Sequence, residues 1–425
     1  MAATQTPDYR PFAVGDVVRA NTKAWFARLQ ERADAGEPYV LGYPNAPHEL
    51  FEALDIPFMV DAWYSGLVAA KQQSGHYSRV LEDHGYHSGL SRYMAMPFGV
   101  LLDDDRSTAP WGGLPAPALV VTGSGEGNGP ALAAHYGVRH VALHTPAMRR
   151  PTDLWWDYGR YEWEAMAGSE RIDLVVAQYH ELIAVLEAMS GRRMDYDRLG
   201  EIMARVNEQE NHFLAVRDMV ASAEKLPVRL GEATTITMGI QWHRGVQWAV
   251  DAAKQFRDEV ALRIENREFV CPGEKHRLMW LGTGLWQNQR FLDRFEREYD
   301  TVFVRSNYLS LAADGYVREG LHDPLRALAS RYAAFGAEYM HQPGPGSAWH
   351  LHEARTHRAG GAVLVGQWWG GSRLIARDLE AAGIPVTTLD ADSLGAGGMD
   401  MDRLAAEIGR FIQTEVAPRQ KGGQA

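Results

Sequence analysis

Histidines and a carboxylate in short loops are the first residues of this chain that could move protons. His84 and His87 lie in one loop, directly after a predicted helix. Imidazole titrates near neutral pH, so either ring could act as acid or base beside a cleft; the alternative is an ordinary polar loop. Glu49 begins a predicted helix after Pro47-His48, where a carboxylate has the structural role of stabilising the helix N-terminus.

A second candidate site is the glycine-rich loop Gly123–Gly129, which follows an apolar strand and opens a helix. Backbone N–H groups at such a turn can bind a phosphate. The loop matches neither the P-loop pattern nor the dinucleotide-binding pattern, because Asn128 replaces the third glycine. A nucleotide loop, a plain tight turn and a ligand-lining loop of another kind all stay open.

Histidines are densest between His341 and His357. On a strand, His350 and His352 would direct both rings to one face, which suits a metal ion. A third ligand is not evident, and His352 and His357 lack the spacing of one helix face. Solvated or capping histidines are the simpler interpretation, so no metal site is predicted.

A tryptophan pair stands in another glycine loop. Trp368 and Trp369 lie between Gly366 and Gly370, after the apolar strand Gly361–Val365. Bulky indoles at the end of a strand fill or line a cavity. The motifs of common serine hydrolases, zinc proteases and kinases are absent from the sequence.

Short apolar strands that alternate with helices precede these loops, and such alternation indicates parallel sheets. Ligands bind at the carboxyl ends of parallel strands. The sequence therefore predicts an α/β protein with two Rossmann- or flavodoxin-like halves, parallel sheets, extra helices and an active-site cleft between the halves. Three loops are expected to converge on this cleft: Gly42–Glu49, Gly123–Gly129 and Gly366–Gly371.

Between the two halves, long helices are predicted over 173–191, 195–221 and 243–265, with a loop around Pro227 and Gly231. The predicted organisation has five parts: an N-terminal helical segment (1–37), a first α/β domain (38–225), a helical connection and linker (226–276), a second α/β domain (277–417) and a disordered tail (418–425).

Composition narrows the class of protein. The 425 residues carry a formal net charge of −11, which argues against nucleic-acid binding. Neither a signal peptide nor an apolar run of membrane-spanning length occurs, so we expect a cytoplasmic protein. The 13 Trp and 17 Tyr indicate an aromatic-lined pocket or a large interface. The single cysteine, Cys271, excludes any site built from several thiolates of this chain.

The order and spacing of several short motifs resemble the 2-hydroxyacyl-CoA dehydratase and benzoyl-CoA reductase family. The likeness is greatest to the B-type subunit of ATP-dependent benzoyl-CoA reductase and covers about residues 40 to 415. The matching stretches include Pro47-His48-Glu49-Leu50, Lys71–Gly75, Met96–Val100, Val120–Ser124, Arg277–Tyr308, Gly320–Leu325 and Ala382–Asp392.

The resemblance implies a [4Fe–4S] cluster, held by cysteines of three strand-end loops beside the acyl group of a CoA thioester. It places those positions at Ser91, at Ser124 and near Trp368–Gly370, and Cys271 matches none of them. Serine and indole cannot replace thiolates on iron. We therefore expect this chain to bind no metal and no cofactor of its own, with an iron–sulfur cluster only in a partner subunit.

Three functions are compatible with the resemblance. We favour a cluster-free subunit of an enzyme complex, a lyase or oxidoreductase that acts on an aryl acyl-CoA thioester in aromatic degradation, with a homologous subunit as partner in a heteromer. The alternatives are a stand-alone enzyme with non-redox acid–base chemistry in the vacated cluster pocket, and a non-catalytic scaffold. The candidate catalytic groups are Glu49, His84, His87 and Glu126. The candidate substrate-binding residues are Ser91, Ser124, Gly125, Trp368, Trp369 and Gly370.

Overall fold

Two four-stranded parallel sheets form the framework of the protein. The computed structural model describes residues 9–86, 92–124, 128–146, 154–310, 312, 316–333, 340, 344–366, 372–391 and 400–422. The strands of the first sheet are β1 (Val40–Gly42), β2 (Phe58–Val60), β3 (Leu119–Gly123) and β4 (Arg139–Leu143). Those of the second sheet are β5 (His276–Gly282), β6 (Thr301–Ser306), β7 (Gly361–Val365) and β8 (Val386–Leu389).

The two sheets have the same connectivity. The first is ordered β2-β1-β3-β4 and the second β6-β5-β7-β8, and every strand pair is parallel. In each sheet the order reverses between the first and third strands, which is where open α/β sheets bind ligands. The predicted α/β fold with two Rossmann- or flavodoxin-like halves is confirmed.

Helices cover both sheets. In the first half they are α1 (Ala13–Asp34), α2 (His48–Ala53), α3 (Asp61–Ala70), α4 (Ser74–Asp83), α5 (Arg92–Leu102) and α6 (Asn128–Tyr136). The central helices are α7 (Trp155–Tyr158), α8 (Trp163–Ala167), α9 (Ser169–Ser190), α10 (Tyr196–Ser222), α11 (Leu230–Gln241) and α12 (Gln247–Glu265). In the second half they are α13 (Asp293–Tyr299), α14 (Asn307–Ser310), α15 (Pro324–Ala333), α16 (Pro345–Thr356), α17 (Ser372–Ala381), α18 (Met401–Phe411) and α19 (Ala417–Gly422).

Two segments differ from the sequence prediction. The predicted loop around Pro227 and Gly231 ends at Arg229, and α11 begins at Leu230 because its apolar residues pack against α1 and α12. The chain end predicted to be disordered is helical as far as Gly422. A π-helical turn, Ile412–Val416, leads into this last helix, and buried Ile412 and Val416 hold it against the second half.

The helix α1 connects the two halves. Its apolar residues recur at helical spacing, as predicted. Val14 and Val18 join the core that contains β6 and α11, whereas Phe26 and Leu29 join the core beneath β1 and α3. The halves are therefore held side by side along the length of one helix.

Helix α15 also connects the halves, because it belongs to the second half of the sequence and packs in the core of the first half. Leu325, Leu328 and Tyr332 of α15 belong to the core of the first half, together with strands β1 and β3. The predicted second domain, 277–417, thus contains a helix that packs on the first sheet. Within the described part of the chain, no helix is both long and apolar enough to cross a membrane.

Candidate functional site

A cleft of about 670 Å³ lies between the two halves. Helices α1 and α11 form one wall, α3 forms another, and the segment after β5 closes the third side. We call it the aromatic cleft, because seven aromatic residues line it: Tyr9, Phe12, Trp63, Tyr93, Trp111, Trp242 and Trp286. The cleft lies between the halves, but no described residue of the three loops predicted to converge there lines it.

Strand ends place the aromatic residues. Helix α3 begins directly after β2, so that Trp63 lies one turn from the carboxyl end of that strand. Trp286 follows β5 through the turn Gly282-Thr283-Gly284. Gly282 has φ +94°, and a Cβ there would lie 2.1 Å from the carbonyl oxygen of Val365, so only glycine permits this turn.

Aromatic contacts hold the cleft walls rigidly. Trp63 makes edge contacts with Trp25 and Trp111, at ring distances of 5.3 and 5.4 Å. Trp286 packs edge-on against Tyr308 at 5.0 Å. The Tyr93 hydroxyl donates a 2.8 Å hydrogen bond to the carbonyl oxygen of Ala62, and burial holds its pKa above the ordinary value. The cleft therefore presents fixed indole rings and a neutral phenol.

Beside the cleft lies a second, smaller cavity of about 70 Å³, lined by Glu49, Tyr179, Gln241, Arg244, Arg331 and Tyr332 among others. We call it the charged cavity. Arg244 donates from Nε to Glu49 at 2.7 Å and from Nη2 to the carbonyl oxygen of Ala46 at 2.9 Å. Arg331 pairs with buried Glu210 at 2.8 Å. Met238 and Trp242 line both cavities and form the partition between them.

The two buried carboxylates differ in protonation behaviour. Burial alone would raise the pKa of Glu49, but the charges of Arg244 and Arg331 outweigh it, and the pKa lies below its ordinary value. For Glu210, burial outweighs the attraction of Arg331, and the pKa is raised. Glu49 is therefore a stably ionised carboxylate in an ion pair.

Of the predicted catalytic residues, only Glu49 lies in a cavity described here. His84 is exposed at the end of α4, where its Nδ1 lies 2.8 Å from the carbonyl oxygen of Val80, and it does not line the aromatic cleft. His87 and Glu126 lie outside the described residues.

The predicted substrate-binding positions are mostly outside the described ranges as well, since Ser91, Gly125, Trp368, Trp369 and Gly370 belong to the undescribed segments. Ser124 is described and is exposed at the end of β3. Its backbone N–H donates to the carbonyl oxygen of Leu143 at 2.9 Å. That donor is thus engaged within the sheet in this structure.

The described histidines of the cluster lie on a helix, so the strand geometry that would suit a metal ion is not present; His341 lies outside the described residues. His350, His352 and His357 lie within or at the end of α16, because Pro345 starts a helix whose buried side includes Trp349. The ring of His350 is buried, and burial lowers its pKa to about 4. No group of three or more metal-ligating side chains occurs among the residues that the structure describes.

The only thiol of the chain lies away from the strand ends that bind ligands. Cys271 is buried beside the amino-terminal ends of β5 and β6, with its Sγ 3.5 Å from the carbonyl oxygen of Glu296. Burial raises its pKa to about 11, so the thiolate form is disfavoured. An iron–sulfur cluster needs several thiolates, and this donor set does not fit one.

Sequence reasoning did not find the residues that define the two cavities. Trp63, Trp242 and Trp286 stand in three separate segments, and nothing in their local sequence shows that the fold brings them together. Arg244 lies in the turn between α11 and α12. Its place in the sequence carried no signal, because the predicted helix over 243–265 contains Arg244 and α11 was not predicted.

Comparison with known proteins agrees with this architecture. The family model described as 2-hydroxyglutaryl-CoA dehydratase, D-component, matches residues 44–414, and the chain belongs to that family. It is similar to the (R)-2-hydroxyisocaproyl-CoA dehydratase alpha subunit of Clostridioides difficile, with 23% identity over 262 residues. That match covers 61% of this chain and 61% of the relative. The predicted relationship to 2-hydroxyacyl-CoA dehydratases is confirmed, whereas the likeness to benzoyl-CoA reductase stays a prediction.

Proposed function

We propose that this chain is a cluster-free subunit of a 2-hydroxyacyl-CoA dehydratase-like complex and that its aromatic cleft binds an aryl acyl-CoA thioester. The observation that carries the proposal is the cleft itself. Its volume of about 670 Å³ lies in the range of small-molecule sites, roughly 300–1,000 Å³. Its position at strand ends between two α/β halves is the usual one for a ligand.

The lining of the cleft favours an uncharged, planar acyl group. Indole and phenol rings provide apolar faces and edges for stacking. The guanidinium groups in the lining each have a carboxylate partner: Arg19 with Asp16 at 2.8 Å and Arg290 with Asp293 at 3.3 Å. Arg229 is the least exposed of the three, at 17%, and is paired with buried Glu296. A distal carboxylate in the interior would therefore find no unpaired cation among the described lining residues, whereas an aryl ring needs none.

The exposed rim suits the charged end of CoA. The side chains of Arg19 and Arg290 are 66% and 86% exposed. Exposed ion pairs contribute only about 0–1 kcal/mol, so phosphate groups can compete for these guanidinium groups. We assign the rim to the phosphates of CoA and the aromatic interior to the acyl group.

Electron transfer would come from another component of the complex. The one thiol, Cys271, is buried at the opposite end of the second sheet from the strand ends. A chain without clustered thiolates holds no cysteine-ligated cluster. The names of the family and of the relative, a component and a subunit, support a heteromer, and we propose that the partner is a homologous, cysteine-bearing subunit.

Acid–base chemistry by this chain alone has less support. Both carboxylate oxygens of Glu49 accept hydrogen bonds from Arg244, at 2.7 and 3.3 Å. A carboxylate with a lowered pKa is a weak general base. In addition, Met238 and Trp242 stand between this carboxylate and the cleft.

Calorimetric titration of the purified chain tests the proposal. We expect benzoyl-CoA to bind at least tenfold more tightly than free CoA. Trp63→Ala should weaken the binding of benzoyl-CoA at least tenfold, whereas Tyr161→Ala removes an exposed aromatic ring outside the cleft and should change nothing. Equal affinity for benzoyl-CoA and CoA, or equal effects of the two substitutions, would contradict the assignment.

A further inference from the structure

Four glycines line the aromatic cleft, and for one of them neither packing nor its position in a helix accounts for glycine. A Cβ at Gly231 would lie 2.4 Å from the carbonyl oxygen of Gln289, and a Cβ at Gly239 would lie 2.6 Å from Val18. Both glycines permit close approach of neighbouring segments. Gly15 stands in the first turn of α1, where a glycine disturbs the helix little.

Gly66 lies in the interior of α3, where glycine is unfavourable by roughly 0.5–1 kcal/mol relative to alanine. Its φ angle is not positive, so the backbone conformation does not require glycine. A Cβ at this position would have one neighbour within 4 Å, the hydroxyl of Tyr93 at 3.5 Å, which is an ordinary contact. Neither strain nor packing accounts for the missing side chain.

The absent side chain instead leaves space in the cleft. Gly66 lies one turn after Trp63 on the partly exposed face of α3, and both residues line the cleft. The hydroxyl of Tyr93 lies over the same position. The glycine backbone, an indole and a phenol therefore line one part of the cleft together. A planar ring can lie against exposed backbone where a side chain would exclude it.

We propose that Gly66 sets the size of the acyl group that the cleft accepts, with the ring of the ligand lying over its backbone between Trp63 and Tyr93. This inference rests on the proposed function and adds to it a residue that determines specificity. It predicts that a side chain at position 66 discriminates by acyl size: a bulky acyl group is rejected while a small one still binds.

Titration of the full-length chain with benzoyl-CoA and with acetyl-CoA tests the inference. Gly66→Leu should lower the affinity for benzoyl-CoA at least tenfold and leave that for acetyl-CoA within about twofold. The matched control is Gly200→Leu, at a helical glycine of α10 outside the cleft, where a Cβ would meet only Pro324 at 3.9 Å. This control should change neither affinity.

The Gly66→Ala variant provides a second test of the inference if the leucine variant does not fold. The methyl group fits without a clash, so this variant should melt no lower than the natural chain and should lower the ratio of benzoyl-CoA to acetyl-CoA affinity two- to fivefold. An unchanged ratio in the folded variants, or an equal loss for both thioesters, overturns the role of Gly66. Failure of the natural chain to bind either thioester overturns the proposed function instead.

Discussion

Removal of the Arg244 guanidinium should destabilise the protein strongly, because it leaves the carboxylate of Glu49 buried without its partner. The two side chains are 7% and 1% exposed. Arg244 also donates to His48 at 2.8 Å and to the carbonyl oxygen of Ala46 at 2.9 Å. Breaking a buried ion pair from one side costs about 3–5 kcal/mol. For a folding unit of roughly 150–250 residues, the size of one half of this chain, that loss lowers the melting temperature by roughly 6–20 °C.

The assay is thermal unfolding followed by circular dichroism at pH 7. Arg244→Met keeps most of the aliphatic volume and should show this fall. Arg19→Met breaks the exposed pair with Asp16 and should cost about 0–1 kcal/mol. The double variant Arg244→Met, Glu49→Gln should recover part of the loss, because no uncompensated charge is then buried.

The dependence on pH gives a second signature of the same pair. The pKa of Glu49 is lowered in the folded chain, so its contribution is present above about pH 4.5 and is lost as the pH falls through the lowered pKa. In the Arg244→Met variant, the charge of Arg244 no longer opposes the effect of burial, so the pKa of Glu49 rises. The difference in free energy of unfolding between the natural chain and the variant should therefore become smaller as the pH falls from 7 towards 4.5. A loss below about 1 kcal/mol at pH 7, or a deficit that grows on acidification, would refute the reasoning.

Three further perturbations test other parts of the structure. His243 packs between Trp25 and Trp248, and burial lowers its pKa to about 3, so the natural chain should lose stability as the pH falls below 6.5. In melting curves between pH 6.5 and 4, His243→Phe should reduce this loss of stability. An unchanged dependence on pH would contradict a buried, neutral His243 ring. Burial raises the pKa of Cys271 to about 11, so at pH 8 the thiol should react with a thiol reagent at least a hundredfold more slowly in the native chain than in the unfolded chain. Fast labelling of the native chain would show that Cys271 is not buried. Arg290→Ala should weaken the binding of benzoyl-CoA three- to tenfold at low salt and reduce the salt dependence of that binding. An unchanged affinity in these titrations would show that the CoA phosphates do not bind at the rim.

The sequence predicts the sheets well and the site poorly, for a physical reason. Short apolar runs such as those of β3 and β7 are buried on both faces, and their composition alone marks them as parallel strands. Helix α11 was missed because its threonines and glycines have low helix propensity, and packing against α1 and α12 overrides that preference.

The cavities depend on contacts between distant segments. Glu49 was predicted as a catalytic group and lies in the wall of the charged cavity, but its partner Arg244 is 195 positions further along the chain. The strand geometry considered for His350 and His352 does not occur, because local pattern does not reveal the helix that Pro345 begins. Residue types therefore indicated an aromatic pocket, while its members could be named only once the fold brought α1, α3 and α11 together.

Native mass spectrometry of the complex purified from its natural source tests the central claim most directly. We predict a heteromer in which this chain is joined to a homologous, cysteine-bearing subunit, with an acyl-CoA bound and with iron retained only by species that contain the partner. This chain released on its own should carry no iron. Stoichiometric iron on the released chain, or a species of this chain alone that binds neither a partner nor an acyl-CoA, would contradict the account.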